Sequence, residues 1–147
     1  LATSVGTCNE VLREYSEFQV AQFASNLREP GMEKFTASGE VATVTHSPLS
    51  RGDSLVQRLA DHATQNPEIG RSWSAHTGLD LREPGNVARV LLSYAFRKNP
   101  QGVVLCGMFD ARHLSANVGT ATHPVPDEAL SSVVQSMRET LAGGRLE

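Results

Sequence analysis

The sequence predicts an α/β fold of the (β/α)8, TIM-barrel type, with this chain supplying about the last four β/α units plus a C-terminal helix. Three observations carry that prediction. Short apolar runs recur at residues 18–24 (FQVAQFA), 41–46 (VATVTH) and 102–106 (GVVLC). Amphipathic helical patterns separate them, and strands alternating with helices form parallel sheets with right-handed crossovers. Two of the runs stop abruptly at polar tracts, one at His46-Ser47-Pro48 and one at Gly107. A barrel strand delivers its loop to the ligand-bearing end in this way.

The elements follow in order. Residues 1–4 read as the end of a strand, and the chain as a piece cut from something longer. Residues 9–15 predict a short helix capped by Asn9. The run at 18–24 is a strand despite Gln19 and Gln22, and Pro30-Gly31 breaks the loop after it. A short helix at 32–37 ends at Gly39, before the strand at 41–46. Ser54 caps a helix on which Leu55, Leu59, His62 and Ala63 share a face, and Pro67 bounds it. Residues 66–84 hold many turn formers and Trp73, and predict an irregular loop. Asn86 caps a helix with a stripe of Val87, Val90, Leu91, Tyr94 and Ala95, stopped by Asn99-Pro100. Asp110 caps a short helix running to Asn117. Leu130, Val133, Val134, Met137 and Leu141 mark a terminal helix ended by Gly143-Gly144.

Bulk properties exclude several classes. The 147 residues suit one domain, and a net charge of -3 gives no electrostatic case for nucleic acid or an anionic membrane. No apolar run approaches the ~20 residues of a membrane span. Cys8 and Cys106 have no metal-ligand spacing and read as reduced thiols of a cytoplasmic protein. The five histidines fall in separate segments, which argues against zinc. SPLS lacks the GxSxG elbow of a hydrolase.

LATSVG at the start, FQVAQFASN at 18–26, THSPLSRG at 45–52 and GVVLCGMFDARHLSAN at 102–117 together resemble the C-terminal half of the aldo-keto reductase family's barrel. The resemblance covers essentially the whole chain, making residues 1–147 a partial domain. It implies an NAD(P)(H)-dependent oxidoreductase that interconverts carbonyls and alcohols by hydride transfer, with NADPH as cofactor and NADH possible. Gln22 would hold the carboxamide of the nicotinamide, an amide offering both donor and acceptor; a buried Gln satisfied by backbone is the alternative. His46 stands where the family stacks an aromatic on the nicotinamide, or else it bonds a nearby carbonyl. Ser47, Leu49, Ser50 and Arg51 would wrap the pyrophosphate, with Gly52 allowing close approach. Gly107, Met108, His113 and Asn117 match positions that bind adenosine and its 2′-phosphate, Asn117 pairing with the adenine edge or capping its helix. Many NADPH-preferring relatives carry Lys or Arg at the positions of Gly107 and His113, and Arg112 beside them could substitute. Ser4 matches a serine that helps hold the carboxamide.

The family's catalytic Asp, Tyr, Lys and His all lie in the half this chain does not match. Tyr15 and Tyr94 fall on helical patterns rather than at strand mouths. The chain alone is therefore expected to bind cofactor without reducing carbonyls. A small carbonyl or sugar-like substrate is implied only for the full barrel. The competing reading is a non-enzymatic nucleotide-binding or regulatory half-barrel that associates with another chain. Open sheet edges make self-association possible.

Overall fold

The computed structural model describes residues 1–37, 40–50, 55–108 and 110–143. Among them the order is α1 (Val5–Glu14), β1 (Val20–Ala24), α2 (Gly31–Lys34), β2 (Ala42–His46), α3 (Leu55–Gln65), α4 (Pro67–Thr77), α5 (Pro84–Lys98), β3 (Val103–Leu105), α6 (Ala111–Thr122) and α7 (Asp127–Ala142). The strands form one parallel sheet in the order β1-β2-β3. Near the N-terminus a single bridge joins Ala2 to Gln22.

This sheet corrects the expectation of a TIM-barrel half with four β/α units. It is a small open sheet of three strands among seven helices in the described residues, not a (β/α)8 barrel. The predicted first strand contributes only its bridge. Ser4 turns the chain at once into α1, its hydroxyl accepting the Thr7 N–H at 3.2 Å. Helix α1 therefore starts before Asn9. Asn9 instead clamps α2: its Nδ2 donates to the Lys34 carbonyl at 2.8 Å, and its Oδ1 accepts the Thr36 N–H at 3.0 Å.

Residues 66–84 overturn the loop expectation, because helix α4 fills most of that segment. Pro67 occupies the first turn of α4, where its missing N–H is harmless, so one residue ends α3 and starts α4. Gly78 closes α4 in the left-handed conformation at φ 69°. Trp73 is a core residue rather than a rim residue: it is 1% exposed, and its Nε1 donates to Ser136 Oγ at 2.8 Å. Gly70 lets α4 cross α3 closely, since a Cβ there would lie 2.5 Å from the Ala63 carbonyl oxygen.

Helices α3, α4, α5 and α7 enclose the main core, which contains Leu55, Leu59, Val87, Leu91, Leu130 and Met137. The predicted stripes of α3, α5 and α7 are the faces buried there. Helix α5 starts earlier than its Asn86 cap predicts. Its N-cap is Glu83, and Asn86 Nδ2 donates to the Asp80 carbonyl at 2.9 Å. Helix α6 does begin at Asp110, which accepts the Arg112 N–H at 2.7 Å, but it runs past Asn117 to Thr122. The cap assigned to Ser54 and the stop at Gly39 lie outside the described residues.

Two polar anchors tie the layers together. Buried Asn99, just past α5, accepts from Thr43 Oγ1 at 2.6 Å and donates to the Val103 carbonyl at 3.3 Å, joining β2 to β3. Glu33 of α2 accepts on one oxygen from Tyr94 Oη at 3.0 Å, Lys98 Nζ at 2.8 Å and Arg138 Nη2 at 2.8 Å. Burial raises the Glu33 pKa, but these three donors outweigh it and hold the carboxyl down at about 2.

Two outcomes follow for stability. In the Glu33→Gln variant we expect a loss of about 1–2 kcal/mol at pH 7, solvent screening having reduced the value of the full shift. A depressed carboxyl stabilises above its unfolded pKa. The gap to the parent therefore narrows as pH falls below 4.5 and nearly closes at about 2, as urea unfolding across that range will show. Gly70→Ala should lower stability by about 1–3 kcal/mol through overpacking, measured by the shift in denaturation midpoint.

Candidate functional site

Side chains alternate across a strand, so the register decides which of them share a face. Gln22 pairs with Val44, which pairs with Val103; Ala24 pairs with His46, which pairs with Leu105. These residues share one face of the sheet. The opposite face is buried under helices and carries Ala21, Phe23 and Thr45. Strands in sequential order with crossovers of one hand place every connecting helix on the same side. The face bearing Gln22 and His46 is accordingly open, with Val103 53% and Leu105 45% exposed. The half-buried Gln22 side chain makes no hydrogen bond among the described residues.

All three strands release their chains at one end. After β1, the buried Asn26 Oδ1 accepts the N–H groups of Arg28 and Glu29, each at 2.9 Å. After β2, Ser47 and Ser50 adopt left-handed backbone at φ 58° and 69°, in a turn closed by Ser50 N–H donating to the Ser47 carbonyl at 3.0 Å. Serine pays for that region with about 1–2 kcal/mol per residue, and such outliers gather at ligand clamps. His46 Nδ1 lies 2.9 Å from Ser47 Oγ, so the ring bonds the adjacent hydroxyl rather than a carbonyl. Ser47 and Ser50 line a small cavity of about 230 Å³ together with Ala24 and Asn26.

Beyond this turn lies a groove of about 790 Å³ between the β2–α3 loop, the start of α5 and helix α6. Leu49, Gly107, His113 and Asn117 all line it, although two separate stretches of chain supply them. Asn117 sits within α6 and is not its cap; its Nδ2 donates to Cys106 Sγ at 3.5 Å. Burial pushes the Cys106 thiol up, so it stays a neutral acceptor. Asn86, Arg89 and His123 also line the groove. Sequence reasoning missed Arg89 because it lies within a regular amphipathic helix and belongs to no motif.

The other predicted residues lie apart from this groove. Met108 is 46% exposed, and Ser4 is occupied in capping α1. Gln22 and His46 stay on the open sheet face. Arg51 lies outside the described residues. Arg112 binds Asp110 through Nη2 at 2.7 Å and Nε at 3.1 Å, with its side chain 90% exposed.

Neither tyrosine offers a proton donor at this end. Tyr15 is the exposed C-cap of α1. Tyr94 is buried in the Glu33 knot, where burial pushes its phenol pKa well above the usual value. Among the described residues no three His, Cys, Asp or Glu side chains gather as a metal site, and no helix is long and apolar enough to cross a membrane. Comparison with family models, curated proteins and solved structures gives no match.

The turn after β2 yields a test of its strained backbone. Ser50→Gly should be tolerated, whereas Ser50→Val should unfold about 1–2 kcal/mol more easily than the glycine variant, because a β-branched residue resists positive φ. Equal midpoints in urea would count against strain at this position.

Proposed function

We propose that this chain binds a nicotinamide dinucleotide, NADPH with NADH as the alternative, as the cofactor-binding part of an aldo-keto reductase-type oxidoreductase. One observation carries the reading. Leu49, Gly107, His113 and Asn117 were assigned to the cofactor from separate tracts, and they line a single groove. Apart from Ser4, Met108 and the undescribed Arg51, the other assigned residues fall in an order that suits an extended dinucleotide. Gln22 and His46 lie on the open face near the strand ends, for the nicotinamide. The Ser47–Ser50 turn follows, for the pyrophosphate. The groove comes last, for adenosine.

When bound, the cofactor supplies a hydride for a carbonyl of a small or sugar-like substrate. The chain's own part is to bind and orient. Gln22, with no hydrogen bond among the described residues, offers a donor and an acceptor to a carboxamide. The Ser50 turn and the groove hold the two ends of the ligand apart. Neither tyrosine among the described residues is placed to protonate the carbonyl oxygen, so the chain alone is expected to hold cofactor without turnover. Its free Cys8 and Cys106 suit a reducing compartment such as the cytoplasm.

A second reading is a non-enzymatic nucleotide-binding unit that associates with another chain or with itself. The exposure of Val103 and Leu105 on β3, at the edge of the sheet, favours it.

Titration with NADPH and NADH, followed by nicotinamide fluorescence, tests the first reading. We expect micromolar binding that Asn117→Ala and Arg51→Ala each weaken by about tenfold or more. A folded chain that binds neither cofactor overturns the proposal.

A further inference from the structure

We propose that Arg89 selects the phosphorylated cofactor, its guanidinium meeting the 2′-phosphate of NADPH in the groove between α5 and α6. This inference rests on the cofactor reading above and adds to it a specificity-determining residue.

The tract after β3 carries no cation suited to this task. Gly107 and His113 stand where a permanent positive charge would serve, and Arg112 is already held by Asp110 on the exposed side of α6. Helix α5 brings Arg89 to the same groove from a different part of the chain. No carboxylate lines the groove among the described residues, while His113 and His123 accompany Arg89 there. A cavity whose charged group among the described residues is cationic suits an anion.

The state of the guanidinium points the same way. Arg89 Nη2 donates to the His123 carbonyl at 2.9 Å, which fixes the group between α5 and the end of α6. Its Nε is buried and has no partner among the described residues. The residue as a whole is half-buried, yet a buried donor left without a partner is exceptional and calls for an acceptor. A phosphate fits, because the planar fork presents parallel N–H groups to its oxygens. The start of α5 adds to the field: Pro84, Gly85 and Asn86 line the same groove, and the N-cap Glu83 makes no side-chain capping bond. A Cβ at Gly85 would meet open space, so an anion can approach the positive helix end there.

Binding of 2′,5′-ADP and of ADP to the 147-residue chain, measured by calorimetry, separates the possibilities. The two nucleotides carry the same number of phosphates and differ in where the second one sits. We expect 2′,5′-ADP to bind on the order of tenfold tighter, and Arg89→Gln to erase that preference while changing ADP by less than about twofold. If both nucleotides bind and the preference is absent, or survives in R89Q, Arg89 is not the selector and the cofactor reading still stands. If the folded chain binds neither, both proposals fall together. Should R89Q unfold, R89K decides, because lysine keeps the charge but lacks the fork. A preference cut severalfold supports the proposal and an unchanged one overturns it.

Discussion

Sequential pairing of parallel strands is the constraint on which the rest of this structure depends. Strand β2 lies between β1 and β3, and each crossover of fixed hand sends its helices to the same side. One sheet face is thereby buried and the other is left open. The same geometry brings every strand's C-terminal loop to one end. The turn at Ser47–Ser50 and the groove beneath α6 exist because that end collects them.

The helical layer is held by shape and by a few polar anchors. Leu59, Trp73, Leu91 and Met137 interlock across four helices, so the register of each depends on the others. Glu33 adds direction to this packing. Three donors from α5 and α7 converge on one of its oxygens, tying the short α2 to the helical core. Asn99 performs a similar service for the sheet, its amide satisfying polar atoms of β2 and β3 that would otherwise be buried without partners. Tyr94 belongs to the same architecture: its hydroxyl donates to Glu33 and accepts from Arg138.

Much of this was legible in the chain. Strands β1 and β2 lie within the predicted runs, and the stripes of α3, α5 and α7 follow directly from a period of 3.6. Helix α4 was illegible because its signals are double-edged. Pro67 starts a helix as readily as it stops one, and Gly70 and Gly78 resemble a loop until one serves a close crossing and the other a helix end. The barrel failed as a prediction for a different reason. Alternating strands and helices are shared by closed and open parallel sheets, and residues 1–4 lack the length to form a strand once Ser4 has capped α1. Within the site, residues on strand-to-loop tracts could be read from their motifs. Arg89 could not, since its position depends on how α5 packs beside α6.

The long excursion between β2 and β3 also shapes how the chain reaches its native state. Thr45 and Val103 meet across 58 residues, with α3, α4 and α5 in between. Loop-closure entropy must be met before that pairing brings any return, whereas the contacts of α3 with α4 are local. The helices can therefore condense early, and the third strand adds last. The groove between α5 and α6, which needs residues from both ends of this excursion, takes shape only at that final step.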